Sequence, residues 1–300
     1  MTVHRSPRVP TFALALATVV AGIVAAGAAP PSQQATFTAR VDAVRVDVDV
    51  RRGNKPVAGL SASDFKVLDN GVPQRVELVS PTALPLNVVL ALDGSTSLDR
   101  RERAHLVAAG KRVIDALRPA ESAALVTFSD RVAIQSTFTD DWMRLRMLVG
   151  GAMPGGDTAV HDAAHVAMVL ASSAPGRSLV ILFSDGDDTA SLLTEESVLD
   201  TAKRTGAVVC VVTLGTDRQV LPRLAELTGG VFVKESSVDK VAERFGEILD
   251  NFRNRYMISF YPTGVERAGW HTLKVRAKSG GDVRARSGYW PAPAPAPSTP

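Results

Sequence analysis

The sequence predicts an α/β protein with a doubly wound, mostly parallel sheet and an additional small β-domain built from N- and C-terminal strands. From Leu86 onward, apolar runs alternate with segments of helical periodicity, which is typical of a sheet covered on both faces. Before and after this region the chain carries strand patterns instead. The chain has 300 residues, of which 45% are apolar, so it can bury a sizeable core.

The α/β region is expected to span residues 85–254. Buried parallel strands are apolar on both sides, and the runs with this character are LNVVLAL, SAALVTFS, SLVILFS and GAVVCVVTL. RVAIQSTF predicts a further short strand. Stripes of apolar residues at helical spacing predict helices over residues 98–117, 158–172 and 238–252. A helix is also predicted after each of the strands SLVILFS and GAVVCVVTL.

The flanking segments, residues 36–84 and 255–290, are predicted to be β-rich. Valines alternate with Arg and Asp from Val44 to Arg51, which predicts a half-buried strand with one wet face. Asp69-Asn70-Gly71 is a hairpin signal. YMISFYP, HTLKVRAK and DVRARSGYW predict three strands near the C-terminus. Because neither set alone offers enough apolar surface, we expect the two sets to pair.

The first residues have the composition of an export signal, predicted over residues 1–28. Arg5 and Arg8 precede an apolar stretch, and Ala26-Gly27-Ala28 is a small-residue cleavage pattern. An uncleaved anchor is the alternative. A linker over residues 29–35 and a Pro/Ala-rich disordered tail over residues 291–300 complete the organisation. The mature protein is expected to be secreted or periplasmic, with no stable membrane span.

Charge and cysteine content exclude some classes of function. The formal charge is +3, and subtracting Arg5 and Arg8 of the export segment leaves +1, so nucleic acid is not an expected partner. The single cysteine, Cys210, lies inside an apolar run and is expected to fill core space.

Oxygen-bearing side chains in three separate segments form the candidate site. Parallel strands place their carboxyl ends at one edge of the sheet, so these segments are expected to meet there. Two carboxylates and three hydroxyls suit an octahedral cation that keeps some water, which indicates Mg²⁺ or Mn²⁺. The predicted ligands are Asp93, Ser95, Ser97, Thr158 and Asp185.

Other residues near these segments are candidates for the rim of the site and for contact with a partner: Gly94, Thr96, Asp157, His161 and Asp187. Asp187 and Asp188 are expected to be solvated. Ser97 and Asp99 are each also candidates for capping the following helix.

The ordered set D-G-S-T-S, Thr158 and Asp185 resembles the metal-ion-dependent adhesion site of von Willebrand factor type A domains. The resemblance covers about residues 86–254. It implies direct ligation by Ser95 and Ser97, direct or water-mediated ligation by Thr158, and coordinated waters held by both aspartates. It also implies a protein partner that presents Asp or Glu. Asp157, a further acid, would tighten cation binding and weaken the attraction for such a partner.

The flanks LSASDFKVLDNGVPQRVEL and RYMISFYP are similar to a group of exported bacterial proteins described as VWFA-related and noted in acidobacteria. With them, the resemblance extends over nearly all of the mature chain.

The leading interpretation is a non-enzymatic, exported adhesion or binding module with no catalytic residues. An envelope component with a purely stabilising metal is the alternative. A metal-dependent hydrolase is a third, because His161 and His165 are four residues apart. Such a zinc helix needs a glutamate base, and the sequence has Asp162 instead.

Overall fold

The computed structural model describes residues 43–79, 84–151, 155–185, 187–214 and 220–291. All of them fall within one structural unit. The predicted export segment, the linker and the tail after residue 291 lie outside the described residues. Within the described ranges, no helix is long and apolar enough to span a bilayer.

The core of the molecule is a six-stranded sheet in the order β11-β10-β9-β6-β7-β8. The strands are parallel except for the edge strand β8, which is antiparallel to β7. Their bounds are β6 (Leu86–Asp93), β7 (Glu121–Phe128), β8 (Val132–Thr139), β9 (Arg177–Ser184), β10 (Val208–Thr213) and β11 (Phe232–Lys234). The predicted apolar runs form the strands, and the doubly wound sheet is confirmed.

Helices cover both faces of this sheet because alternate residues of each buried strand point to opposite sides. Val88, Leu90 and Leu92 of β6 pack with one helical layer, whereas Val89 and Ala91 pack with the other. The first layer contains α1 (Arg100–Asp115), α2 (Trp142–Val149) and α6 (Val241–Arg253). The second contains α3 (Val160–Ala171), α4 (Glu195–Arg204) and α5 (Val220–Thr228).

The helix ends show which local signals decided the boundaries. Asp99 caps α1, since its carboxylate accepts the Glu102 N–H at 2.8 Å while Glu102 accepts the Asp99 N–H at 2.9 Å. Of the two predicted capping candidates, the structure therefore selects Asp99. Helix α2 was not predicted; it is capped by Asp141 and buries only Leu145 and Val149, too few residues for a clear helical stripe.

The terminal strands pair across the chain as predicted, but they form two antiparallel sheets over one shared apolar core. One sheet has the order β14-β1-β12-β5 with β2 beside β1, and the other has the order β15-β13-β3-β4. Their bounds are β1 (Val44–Arg52), β2 (Lys55–Pro56), β3 (Phe65–Asp69), β4 (Val72–Gln74), β5 (Glu77–Val79), β12 (Tyr256–Phe260), β13 (His271–Ala277), β14 (Asp282–Arg284) and β15 (Gly288–Tyr289).

Two details of the strand predictions were wrong. DVRARSGYW forms two short strands in different sheets, because β14 pairs with β1 whereas β15 pairs with β13. The polar face of β1 is only partly wet: Arg45 is exposed, but Asp49 is buried and Asp47 binds the buried Arg177 of the central sheet. The α/β body thus covers part of the face that the alternation placed in water.

A buried polar network joins strands β3, β13 and β15 within one of the terminal sheets. The His271 ring nitrogen Nδ1 lies 2.8 Å from Asp69 Oδ1, and the Tyr289 hydroxyl donates to Asp69 Oδ2 at 2.7 Å. Burial raises the pKa of Tyr289, as do the hydrogen bond to Asp69 and its charge, so the phenol stays a donor. This network accounts for His271, which carried no signal in the sequence.

Replacement of Tyr289 by phenylalanine is expected to lower the free energy of unfolding by about 1–3 kcal/mol, because it leaves a buried carboxylate oxygen without its donor. Urea denaturation measures this. The matched control is Tyr261→Phe, since Tyr261 is 55% exposed and should tolerate the change. Equal stability of both variants would contradict a stabilising role for the network.

Candidate metal centre

The candidate site lies where the winding of the sheet reverses. From β6 the chain adds β7 and β8 on one side, and then β9, β10 and β11 on the other. The carboxyl ends of β6 and β9 are therefore neighbours in a crevice, the usual ligand position in such sheets. Asp93 is the last residue of β6, and Asp185 follows the last residue of β9.

A chain of hydrogen bonds joins four of the five predicted ligands. The Ser95 N–H donates to Asp93 Oδ1 at 2.8 Å, and the Oγ atoms of Ser95 and Ser97 lie 2.7 Å apart. The Ser97 hydroxyl then donates to Asp185 Oδ1 at 2.8 Å. The loop after β6 thus turns both serine hydroxyls to the same side, which residues two apart on a helix could not do.

The loop that carries Thr158 is held against the same strand ends. The Thr96 N–H and hydroxyl both donate to the Gly156 carbonyl, at 3.0 and 3.1 Å. The Thr158 N–H donates to the Thr189 hydroxyl at 3.0 Å, and the Thr158 carbonyl accepts the Thr189 N–H at 2.8 Å. The segments before α3 and after β9 are therefore joined at Thr158, which is buried.

Gly156 is required for this arrangement. Its φ of +128° lies in a region that side-chain-bearing residues rarely adopt, and an added Cβ would lie 2.8 Å from Asp130 Oδ1. The absence of a side chain at Gly156 thus allows the close approach of this loop to Asp130.

Burial acts on both carboxyl groups, and like charge acts on Asp185 as well. Burial raises the pKa of Asp93 from its ordinary value, and hydrogen bonds from Ser95 and Ser184 partly offset this. Burial also raises the pKa of Asp185, and repulsion by Asp93 and Glu102 raises it further. In the described part of the chain, the side chains and N–H groups that bind these two carboxylates are neutral donors.

The donor set fits a small divalent cation. The buried Asp93 carboxylate beside the half-buried Asp185 carboxylate favours a positive charge between them, and serine and threonine hydroxyls are hard oxygen donors. Ser95, Ser97 and Thr158 would contribute the hydroxyls, while Asp93 and Asp185 would contribute the negative charge. Two carboxylates only just balance a divalent ion, which leaves it able to accept a further anionic ligand.

The predicted rim residues differ in exposure. Gly94 is buried and its N–H donates to the Phe128 carbonyl at 2.7 Å, so it does not form part of the rim. Thr96 and Asp157 are exposed beside the site. His161 and Asp187 are half-buried.

The two histidines of α3 have separate partners. His161 Nδ1 lies 3.5 Å from Asp188 Oδ2, whereas His165 Nδ1 lies 2.8 Å from the Thr201 hydroxyl on α4. Asp188 is therefore not simply solvated, as the sequence had suggested; it also accepts the Ser191 hydroxyl at 2.5 Å. Within the described residues, no group of three or more His, Cys, Asp or Glu side chains is placed to hold a metal ion, so the candidate site depends on hydroxyl donors beside its two carboxylates.

Two residues that support the site were missed at the sequence level. Ser184, at the end of β9, donates its hydroxyl to Asp93 Oδ2 at 2.8 Å. Asp130 packs against Gly156 and accepts the Ser129 hydroxyl at 2.9 Å. Ser184 directly precedes Asp185, so the strand end itself was a signal, but no local pattern marks Asp130.

The fold and the strand-end site define a class of doubly wound α/β domains with an oxygen-rich crevice at the switch point. The family model of the von Willebrand factor type A domain matches residues 87–247, which is more than half of the chain, and the protein belongs to this family. The comparison with curated proteins gave no significant match.

Two solved structures of low sequence identity are similar to this chain. Proximal thread matrix protein 1 from the mussel byssus, with a zinc-occupied MIDAS motif, is 20% identical over 61% of this chain and 49% of its own, with a TM-score of 0.51. An aerotolerance-related membrane protein from Bacteroides fragilis is 15% identical over 55% of this chain and 98% of its own, with a TM-score of 0.44. This chain thus spans about half the length of the byssus protein.

Proposed function

We propose that the protein is an exported, non-enzymatic binding module that holds Mg²⁺ or Mn²⁺ and captures an acidic group of a protein partner. The observation that carries this proposal is the hydrogen-bonded chain from Asp93 through Ser95 and Ser97 to Asp185. It gathers hard oxygen donors from two loops at the carboxyl edge of the sheet, where they are accessible because Ser97 is exposed.

Two further points support the proposal. The family to which the chain belongs is one of interaction modules with a metal-ion-dependent adhesion site, and the byssus protein of the same fold carries zinc at its MIDAS motif. The candidate ligands of this chain follow one another along the sequence in the order that the adhesion-site motif has. The identity of the metal is proposed from ligand chemistry, because hydroxyls with few carboxylates favour Mg²⁺ or Mn²⁺ over Ca²⁺.

Each residue has a distinct role in this proposal. Asp93, the most buried ligand, accepts hydrogen bonds from Ser95 and Ser184 and supplies negative charge at the end of β6. Ser95 and Ser97 present adjacent hydroxyls, and Thr158 closes the third side. The cation, when bound, offers an electrophilic coordination position for a partner carboxylate.

Metal-stripped protein is expected to release or absorb heat on titration with Mg²⁺ or Mn²⁺, and to capture its envelope partner only without chelator. Ser95→Ala should lose both properties, because it removes a direct hydroxyl ligand from the centre of the chain. Calorimetry and a pull-down from the native envelope with and without EDTA measure them. Ser63→Ala is the matched control, since Ser63 is exposed in the short 3-10 helix Ala62–Asp64 that precedes β3.

Calorimetry and the pull-down distinguish this proposal from the alternative in which the metal only stabilises the protein. If Ser95→Ala loses thermal stability but still captures the partner, the metal only rigidifies the loops. If capture is indifferent to EDTA and to Ser95→Ala, the proposed function is wrong.

A further inference from the structure

A groove lies next to the candidate metal centre, between α3 and the loops that follow β7 and β9. Its cavity of about 720 Å³ is lined by Arg131 and Val132, by His165 and Val166 of α3, and by Leu192 and Leu193. The second sheet face carries this groove, since Val132, Val166 and Leu193 pack against the core on the α3 side.

Leu192 stands at this groove with 92% of its surface exposed. Single exposed leucines are common on protein surfaces, so exposure alone means little. Here, however, the backbone beneath it is fixed: the N–H groups of Leu192 and Leu193 donate to the two oxygens of the Asp162 carboxylate at 3.0 and 2.9 Å. The chain thus holds a bulky apolar side chain in water at a defined position.

The neighbouring residue adds to this support. The Ser191 hydroxyl accepts the N–H groups of His161 and Asp162, each at 3.1 Å, at the start of α3. Each oxygen of the Asp162 carboxylate already has a backbone N–H donor, although the group keeps its charge. The apolar contact surface of the groove is formed by Val132, Val166, Leu192 and Leu193, and Asp130 and Asp162 line it as well.

The groove is continuous with the metal centre because the two share loops. The Ala190 N–H, in the groove wall, donates to the Thr158 carbonyl at 3.1 Å. Asp130, at the opposite wall, packs against Gly156. The Gly156 carbonyl in turn accepts a hydrogen bond from Thr96, in the loop after β6 that carries Ser95 and Ser97. A segment whose carboxylate reached the site would extend over this groove with its adjacent side chains.

We propose that this groove is a second contact for the same partner, which presents a carboxylate to the metal centre and a bulky apolar side chain to the groove. The proposal rests on the proposed function. The occupant is a protein segment, because one ligand must combine an acid with an apolar group at a fixed separation. The groove itself carries Asp130 and Asp162 beside Arg131, so it fits the apolar side chain of the segment, while the acid of the segment belongs at the metal centre.

Synthetic peptides test this proposal: a glutamate and a leucine separated by one to six glycines, with leucine-to-serine and glutamate-to-glutamine versions. Titration of the isotope-labelled full chain, followed by NMR in Mg²⁺, detects even millimolar affinities. At one spacing the leucine peptide should bind about tenfold more tightly than the serine peptide, because it buries part of a leucine. In Leu192→Ser the two peptides should bind equally.

The matched control is Met143→Ser. Met143 is 75% exposed on α2, which packs on the opposite face of the sheet, so this variant should keep the preference for leucine. Photo-reactive leucine in the peptide should cross-link to residues of the groove. A preference for leucine that survives in Leu192→Ser, no preference at any spacing, or cross-links elsewhere would overturn the proposal.

The two proposals fail differently. Glutamate-dependent binding that needs Mg²⁺, without a leucine preference, would overturn the groove and leave the metal centre standing. Leucine-dependent binding that EDTA does not affect would overturn the metal-mediated function. NMR signals of groove residues that broaden as the protein concentration rises, with peptide binding lost in parallel, would identify a second copy as the occupant and overturn the proposed partner.

Discussion

Replacement of Asp93 by asparagine is expected to weaken Mg²⁺ binding by about 100-fold while leaving the metal-free protein at least as stable as the wild type. The first effect is expected because Asp93 would hold the coordinated waters, and residues that support metal ligation in this way contribute about 10–100-fold in affinity. Asp93 and Asp185 also supply the only negative charges in the predicted ligand set.

The second effect follows from the electrostatics of the metal-free site. Burial raises the pKa of Asp93, and Asp93 in turn raises the pKa of Asp185, so the charged forms are disfavoured in the folded state. At neutral pH both groups are ionised in the unfolded chain, and asparagine removes one of these buried charges. Its amide oxygen can still accept the Ser95 N–H, and its amide nitrogen can donate to the Ser184 hydroxyl.

Thermal unfolding in EDTA and in excess Mg²⁺ measures both effects. The wild type should gain about 2.7 kcal/mol at a metal concentration 100 times Kd, whereas Asp93→Asn should gain little at that concentration. Asp99→Asn is the matched control in the same loop, because asparagine also caps helices. Wild-type metal affinity in Asp93→Asn, or a much lower stability in EDTA, would contradict this account.

Much of the central fold could be predicted because its signals are local. An apolar run such as LNVVLAL needs both faces covered, and Asp93 at its end must then lie at the carboxyl edge. The Asp69-Asn70-Gly71 turn could also be predicted, because an Asn-Gly pair favours a tight hairpin turn. In the structure, Asn70 and Gly71 adopt the positive φ values of 46° and 86° that such a turn requires. The meeting of the segments that carry Asp93 and Asp185 was expected because parallel strands place their carboxyl ends at one edge of the sheet.

Features set by distant contacts could not be predicted. Asp47 was assigned to a wet face because alternation shows only which residues share a face, not what covers that face. The covering residue, Arg177, is 130 positions away. Likewise, the packing of Asp130 against Gly156 depends on two loops whose proximity no local pattern encodes.

The contact between Arg177 and Asp47 gives the second large expected effect, on stability rather than on binding. Arg177 begins β9 and is 4% exposed, and its guanidinium donates to Asp47 Oδ1 from Nε at 2.8 Å and from an Nη at 2.5 Å. It also donates to the Phe252 carbonyl at 2.8 Å and lies 4.6 Å from the centre of the Phe252 ring. One side chain thus links the central sheet, the end of α6 and strand β1.

Arg177→Met is expected to lower the free energy of unfolding by about 3–5 kcal/mol, because it leaves the Asp47 carboxylate and the Phe252 carbonyl without their donor. The double variant Arg177→Met, Asp47→Ala should lose less than the sum of the single variants, since it removes the unpaired charge. Urea denaturation of the four proteins measures this coupling. Lys203→Met is the control, because Lys203 and Asp200 form an exposed pair, which typically contributes less than about 1 kcal/mol. If Arg177→Met were no more damaging than Lys203→Met, the terminal sheets would not depend on this ion pair for their attachment to the α/β body.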